Sequence, residues 1–281
     1  MNLNSLIKNN HIGIFDSGVG GLSVYFEIKK ILPAAKIIYI ADTLHLPYGE
    51  KTAEQVQKYS LRISNYFKER NVETIVVACS TATSVALSTL QETYPEIPVI
   101  GILNQKLIEH TLQVTKNNRI GIIATRLTTE TETFPKALQK NATNIKTFSK
   151  ACPDIIDAIS IGDTSSANFI AAIKRDVGEL LKEDIDSLIL GCTHFNLIQN
   201  LFIELFPKIH IISPPYWTAK YVKEAISLDQ SFIPQKINAD EFYSTAQAEE
   251  FEKIIQQTTG KQIEVKKIKL SKALDPLMLT K

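Results

Sequence analysis

The sequence predicts an α/β protein: two pseudo-symmetric, doubly wound lobes with mostly parallel sheets. Three observations carry this. Short continuous apolar runs alternate with helix-period segments along most of the 281 residues, as expected of parallel strands covered on both faces by crossover helices. Ile12-Gly13-Ile14 has a counterpart in Ile120-Gly121-Ile122. The segment Ile75-Val76-Val77-Ala78-Cys79-Ser80-Thr81 is echoed by Leu188-Ile189-Leu190-Gly191-Cys192-Thr193-His194. In each copy a buried strand ends in a small residue, then a cysteine, then a hydroxyl residue and a helical pattern. At about 150 residues per domain, the length also fits two domains.

In chain order, the predicted strands cover residues 12–15, 37–40, 75–78, 99–101, 120–123, 188–190 and 209–212. The helix after the second strand opens with a capping box, Thr52 and Gln55, and then places Val56, Tyr59, Ile63 and Phe67 on one face. Residues 261–272 hold five lysines and one glutamate among Ile263, Val265, Ile268 and Leu270. They read as an edge strand whose lysines discourage pairing with another chain.

Composition narrows the class. Hydrophobic residues make up 44% and charged residues 22%, enough apolar material for packed cores. Thirty-one basic against 30 acidic residues leave a net charge of +1, which gives no electrostatic case for a nucleic-acid or anionic-membrane partner. No apolar run approaches the ~18 residues of a membrane span. Residues 1–5 are polar and lack the core of a secretory signal. Three cysteines, an odd number in a long chain, argue for a reducing compartment. A cytoplasmic protein is expected.

The chemistry centres on Cys79 and Cys192. A free cysteine is often only a small buried hydrophobe. Both of these sit where a strand hands over to a helix amino terminus, where N–H groups and the helix dipole favour a thiolate, so a lowered thiol pKa is expected. Neither belongs to a C-x-x-C pair, and Cys192 with His194 finds no further ligand pair, so no metal is expected. Two facing thiols suit the inversion of a carbon acid. One group removes the proton and the other returns one to the opposite face, with the sulfurs roughly 7 Å apart.

The turn Asp16-Ser17-Gly18-Val19-Gly20-Gly21 breaks the dinucleotide pattern, because Ser23 stands where the third glycine belongs. It reads instead as a loop offering backbone N–H groups to a small anion, with Asp16 available for an ammonium group. His194, two places from Cys192, is a candidate for assisting proton transfer. Pro47-Tyr48-Gly49 is a turn by composition. His11, His110 and His210 have no partner motif and read as structural.

Together these motifs resemble the glutamate racemases of the aspartate/glutamate racemase superfamily. The resemblance runs through residues 14–22, Pro47-Tyr48-Gly49, Val77-Ala78-Cys79, Gly101, Ala151-Cys152-Pro153, residues 190–194 and Phe242-Tyr243-Ser244-Thr245. It implies one lobe from residues 1–102 and 214–281 and a second from 103–213, with an interlobe active-site cleft that holds the substrate. It implies racemisation of glutamate without pyridoxal phosphate or metal, supplying D-glutamate for peptidoglycan, with Cys79 and Cys192 as the proton donor and acceptor. Asp16 and His194 would assist. Asp16, Ser17, Tyr48, Gly49, Ser80, Thr81, Thr193 and His194 would contact the substrate. Cys152 would be structural, and a homodimer is compatible with the family.

The chain departs from the family pattern at four places. Ser80 stands where asparagine is usual, and Ser160 falls near the position of a family glutamate. Asn196 replaces a proline, and Ser213-Pro214-Pro215 replaces Asp-Ser-Gly. Two other readings stay open on these grounds. One is a racemase of aspartate or another acidic amino acid, although aspartate-using relatives carry an acidic residue at the position of His194. The other is a catalytically silent two-lobed binding protein.

Overall fold

The computed structural model describes residues 11–227 and 239–270. The polar segment 1–5 and the last two residues of the lysine-rich stretch lie outside the described residues, as do the outermost parts of the first lobe as expected from the sequence.

The elements follow in strict alternation at first: β1 (His11–Asp16), α1 (Leu22–Ile31), β2 (Lys36–Ala41), α2 (Ala53–Glu69), β3 (Thr74–Val77), α3 (Ser80–Thr93), β4 (Val99–Gly101) and α4 (Gln105–Val114). The series then starts again with β5 (Arg119–Ala124), α5 (Arg126–Glu130), α6 (Thr133–Asn141), β6 (Lys146–Ala151), α7 (Pro153–Ser160) and α8 (Ala167–Leu181). It continues with β7 (Ser187–Leu190), α9 (Thr193–Leu197), α10 (Gln199–Leu205), β8 (His210–Ile212) and α11 (Pro214–Ser227). The chain closes with β9 (Glu241–Ser244), α12 (Ala248–Thr259) and β10 (Lys266–Lys267).

These strands form two sheets, β10-β9-β2-β1-β3-β4 and β6-β5-β7-β8. Every pairing is parallel. The four-strand order β2-β1-β3-β4 recurs as β6-β5-β7-β8, and the register recurs with it. His11 lies opposite Lys36 as Arg119 lies opposite Lys146, and Ile12 opposite Thr74 as Ile120 opposite Ser187. The internal echo in the sequence is therefore a repeat of the pairing geometry.

Both faces of each sheet are covered. On the first, Ile12, Ile14, Ile37 and Tyr39 pack with α1 and α12, while Phe15, Ile38, Ile40 and Val77 pack with α2 and α3. The second sheet is flanked in the same way by two apolar layers. In α2 both hydrogen bonds of the capping box form, and Val56, Ile63 and Phe67 turn inward. Phe67 lies against β1 at Gly13, where a Cβ would come within 2.7 Å of the ring. The sheet requires glycine there because an aromatic ring occupies the space of a side chain.

The sequence reading includes no strand at β6, and its lysine-rich edge strand needs correction. The edge strand β6 carries no apolar run: Lys146 and Ser149 are exposed and its other residues are half-buried. The lysine-rich stretch pairs only at Lys266 and Lys267, which close the outer edge of the first sheet with exposed side chains. Among the described residues, no helix is long and apolar enough to cross a membrane.

Replacing Phe67 with alanine removes a fully buried ring from the α2–β1 interface. It should cost about 3–5 kcal/mol of stability, measured as a lowered urea midpoint with an unchanged denaturant slope.

Candidate active site

Parallel strands present their carboxyl ends together, and the segments that follow β1, β3, β5 and β7 meet there. Asp16 is the last residue of β1 and is completely buried. Its carboxylate accepts hydrogen bonds from the Gly18 N–H at 2.8 Å and from Thr193 Oγ1 at 3.0 Å, the latter reaching across from the second sheet. The loop N–H expected to hold an external anion is thus engaged by Asp16 itself. Gly20 permits this approach: a Cβ there would lie 2.5 Å from Thr193 Oγ1. Burial outweighs these hydrogen bonds and raises the Asp16 pKa to about 6.

Cys79 and Cys192 cap the amino termini of α3 and α9, and their exposures are 5% and 4%. Backbone N–H groups of Thr81 and Ala82 point to Cys79, and that of His194 points to Cys192. The expectation of lowered thiol pKa values nevertheless fails. Loss of solvent dominates, pushing Cys79 up to about 12 and Cys192 higher still. Negative charge on Asp16 adds to both, and charge on Cys79 raises Cys192. The helix termini are where the sequence placed them, but one or two N–H groups do not replace the water that burial removes.

His194 is buried beside Cys192, its Nδ1 3.7 Å from the sulfur and its Nε2 3.2 Å from Ser160 Oγ. Burial lowers its pKa to about 4, so the ring is neutral at physiological pH. Thr81 Oγ1 lies 2.9 Å from Thr125 Oγ1, and Thr128 joins the pair, forming a hydroxyl chain between the sheets. Ser80 Oγ is buried with no hydrogen-bond partner among the described residues. Ser17 is buried and hydrogen bonds to Asp16.

Tyr48 and Gly49 are buried in the short turn that follows β2. The Tyr48 hydroxyl donates to Asp42 at 2.6 Å, and its ring packs in the apolar layer that holds Cys79. Gly49 abuts Thr125, where a Cβ would lie 2.6 Å from the threonine Cβ. Cys152 is buried at the start of α7, its thiol directed to the Lys150 carbonyl. A cavity of about 150 Å³ is lined by Gly18, Val19, Thr43, Leu46, Ser160 and His194 among others. The described residues contain no cluster of three or more His, Cys, Asp or Glu side chains suited to a metal.

The structure adds residues that the sequence reading did not select. Tyr39 donates to the Gly18 carbonyl at 2.7 Å and holds the Asp16 loop. Thr125 could have been found, because the offset that relates Ile12 to Ile120 also relates Ser17 to Thr125. Two of the departures brace each other: Ser213 Oγ donates to Asn196 Oδ1, and Asn196 Nδ2 donates to the Leu190 and Cys192 carbonyls.

A repeated parallel-sheet framework that brings two thiols, a carboxylate and an imidazole to its shared edge defines an acid–base enzyme of the racemase class. Residues 12–221 match the model of the Asp/Glu/Hydantoin racemase family, and the chain belongs to that family. A glutamate racemase of Pseudomonas paraeruginosa is 35% identical over 258 residues, covering 92% of this chain and 97% of that protein. The structure of a glutamate racemase isoform from Bacillus anthracis superposes with a TM-score of 0.86 at 34% identity, covering 94% and 98% of the two chains. A Francisella tularensis glutamate racemase solved in complex with D-glutamate superposes at 0.85 with 25% identity, covering 93% and 98%.

The raised Asp16 pKa has a sign that stability measurements can read. The native value near 6 exceeds the ordinary 3.8, so on raising the pH the unfolded chain releases this proton first. Its contribution to stability is therefore full below pH 3.8 and declines as the pH rises through 6. Relative to wild type, Asp16→Asn should gain of order 3 kcal/mol between pH 4 and 7 in denaturant titrations. A difference between the two proteins that stays constant with pH would show that the carboxylate is not desolvated.

Proposed function

We propose that this racemase interconverts L- and D-glutamate by two-base proton transfer, with Cys79 and Cys192 on opposite faces of the substrate's α-carbon. The observation that carries the reading is the equivalent placement of the two thiols. Each caps the helix that follows an equivalent strand of its own sheet, and both feel the charge of Asp16. The 35% identity to a glutamate racemase over almost the whole length supports the choice of substrate.

In this reading residues 1–102 with 214–281 form one lobe and 103–213 the other, and the amino acid lies between them. Asp16 holds the α-ammonium group. Ser17, Ser80, Thr81 and Thr193 supply hydroxyls to the carboxylates, and the unpartnered Ser80 Oγ fits that role. Tyr48 and Gly49 form the adjoining wall. One cysteine, as thiolate, takes the Cα proton, and the other, as thiol, delivers its proton to the opposite face. After turnover the protonation states of the pair are exchanged.

The raised thiol pKa values serve this chemistry. A desolvated thiolate is a stronger base than one in water, which narrows its gap to a weakly acidic C–H group. The substrate's ammonium group, held at Asp16, offsets the cost of that thiolate and of the carbanion beside it. The product, D-glutamate, suits peptidoglycan synthesis, and three unpaired cysteines suit a cytoplasmic enzyme.

Purified protein without added cofactor should exchange the Cα proton of both glutamate enantiomers in heavy water, followed by NMR. Cys79→Ser and Cys192→Ser should each lose at least about a hundredfold in racemisation. Exchange with aspartate and none with glutamate would reassign the substrate. Tight glutamate binding with no exchange would make the protein a binding module.

A further inference from the structure

The ring of His194 faces Cys192, and which of its nitrogens carries the proton is decided on the ring's other side. Ser160, the last residue of α7, has its Oγ 2.8 Å from the Ile156 carbonyl oxygen and 3.2 Å from His194 Nε2. A serine hydroxyl has one proton to donate, and a carbonyl oxygen can only accept. The Oγ–H therefore goes to Ile156, and Oγ is left to His194 as an acceptor. The atom facing it must be an Nε2–H. A neutral imidazole carries a single N–H, so Nδ1 bears the lone pair, and Nδ1 is the nitrogen that lies 3.7 Å from Cys192 Sγ.

We propose that Ser160 is a positioning residue that holds His194 as the Nε2–H tautomer, so that Nδ1 faces Cys192 as the acceptor of its thiol proton. Because burial keeps the ring neutral, the tautomer is the property at stake. The step it prepares balances within the pair: the S–H bond breaks and an Nδ1–H bond forms, giving a thiolate beside an imidazolium whose Nε2–H remains on Ser160. Cys79 has no imidazole beside it among the described residues: its thiol is supported by backbone N–H groups and Thr81 and feels the charge of the Asp16 carboxylate. The two halves of the site thus reach the thiolate by different routes. The catalytic consequence rests on the racemase reading above, whereas the tautomer does not.

The test is nitrogen-15 NMR on the full chain labelled at histidine, near neutral pH. For His194 a protonated-type shift at Nε2 and an unprotonated-type shift at Nδ1 are expected. Ser160→Ala should move both shifts toward a tautomer mixture, and Ser160→Thr should restore them. The opposite tautomer in wild type, or an unchanged ring in Ser160→Ala, overturns the proposal. In kinetics, Ser160→Ala should lower kcat/KM about tenfold for both enantiomers together. The isotope effect of an α-deuteron should then rise for one enantiomer only, the one whose proton Cys192 removes. An equal rise for both would overturn a role through Cys192. The expected tautomer in a wild-type protein that does not turn over glutamate would support the assignment of Ser160 while removing the substrate proposed above.

Discussion

Withdrawal of water from four ionisable side chains in one seam governs this molecule. Asp16, Cys79, Cys192 and His194 are all buried, and desolvation drives each toward its neutral form: the acids upward in pKa and the imidazole downward. Charge in the seam is therefore scarce, and wherever a negative charge sits it raises the cost of the next one. Hydrogen bonds from Gly18, Thr193 and the helix N–H groups soften this penalty without cancelling it. A cluster poised in this way moves protons among its members more readily than it accumulates ions. That is what a reaction beginning and ending with the same net charge requires.

The duplicated sheets supply the symmetry of the site, and their loops remove it. Strand order and register repeat closely enough for the two cysteines to occupy corresponding positions. Their surroundings differ: Cys79 adjoins the hydroxyl chain of Thr81, Thr125 and Thr128, and Cys192 adjoins His194 and Ser160. Mirror-image substrates present mirror-image demands, whereas a chain of L-residues cannot supply mirror-image surroundings, and the two thiols here are supported unequally.

Much of this was legible in the sequence. Buried parallel strands have to be continuously apolar, so β1, β2, β3, β5 and β7 announced themselves, and the repeated strand–cysteine–hydroxyl pattern located both thiols. The edge strand β6 escaped because an edge exposed to water needs no apolar run. The direction of the thiol pKa shifts also escaped. A helix amino terminus can be read from local residues, but burial depends on what the rest of the chain brings over it. Ser160 entered only as a departure from the family pattern, since a hydroxyl at a helix end acquires a partner such as His194 only through tertiary folding. The pairing of Asn196 with Ser213 joins two such departures into one hydrogen-bonded brace, invisible while each is considered alone.

The first sheet is assembled from distant parts of the chain: β9 and β10 pair beyond β2, some two hundred residues after it. During synthesis on the ribosome, β2 leaves the exit tunnel long before its neighbour exists, while the whole β6-β5-β7-β8 sheet emerges in between. The nascent chain must therefore carry an open, apolar strand edge for most of its elongation, a hazard for pairing with other unfinished chains. The first sheet is complete only once these last strands arrive, by which time β1 to β8 and both cysteines have long been made.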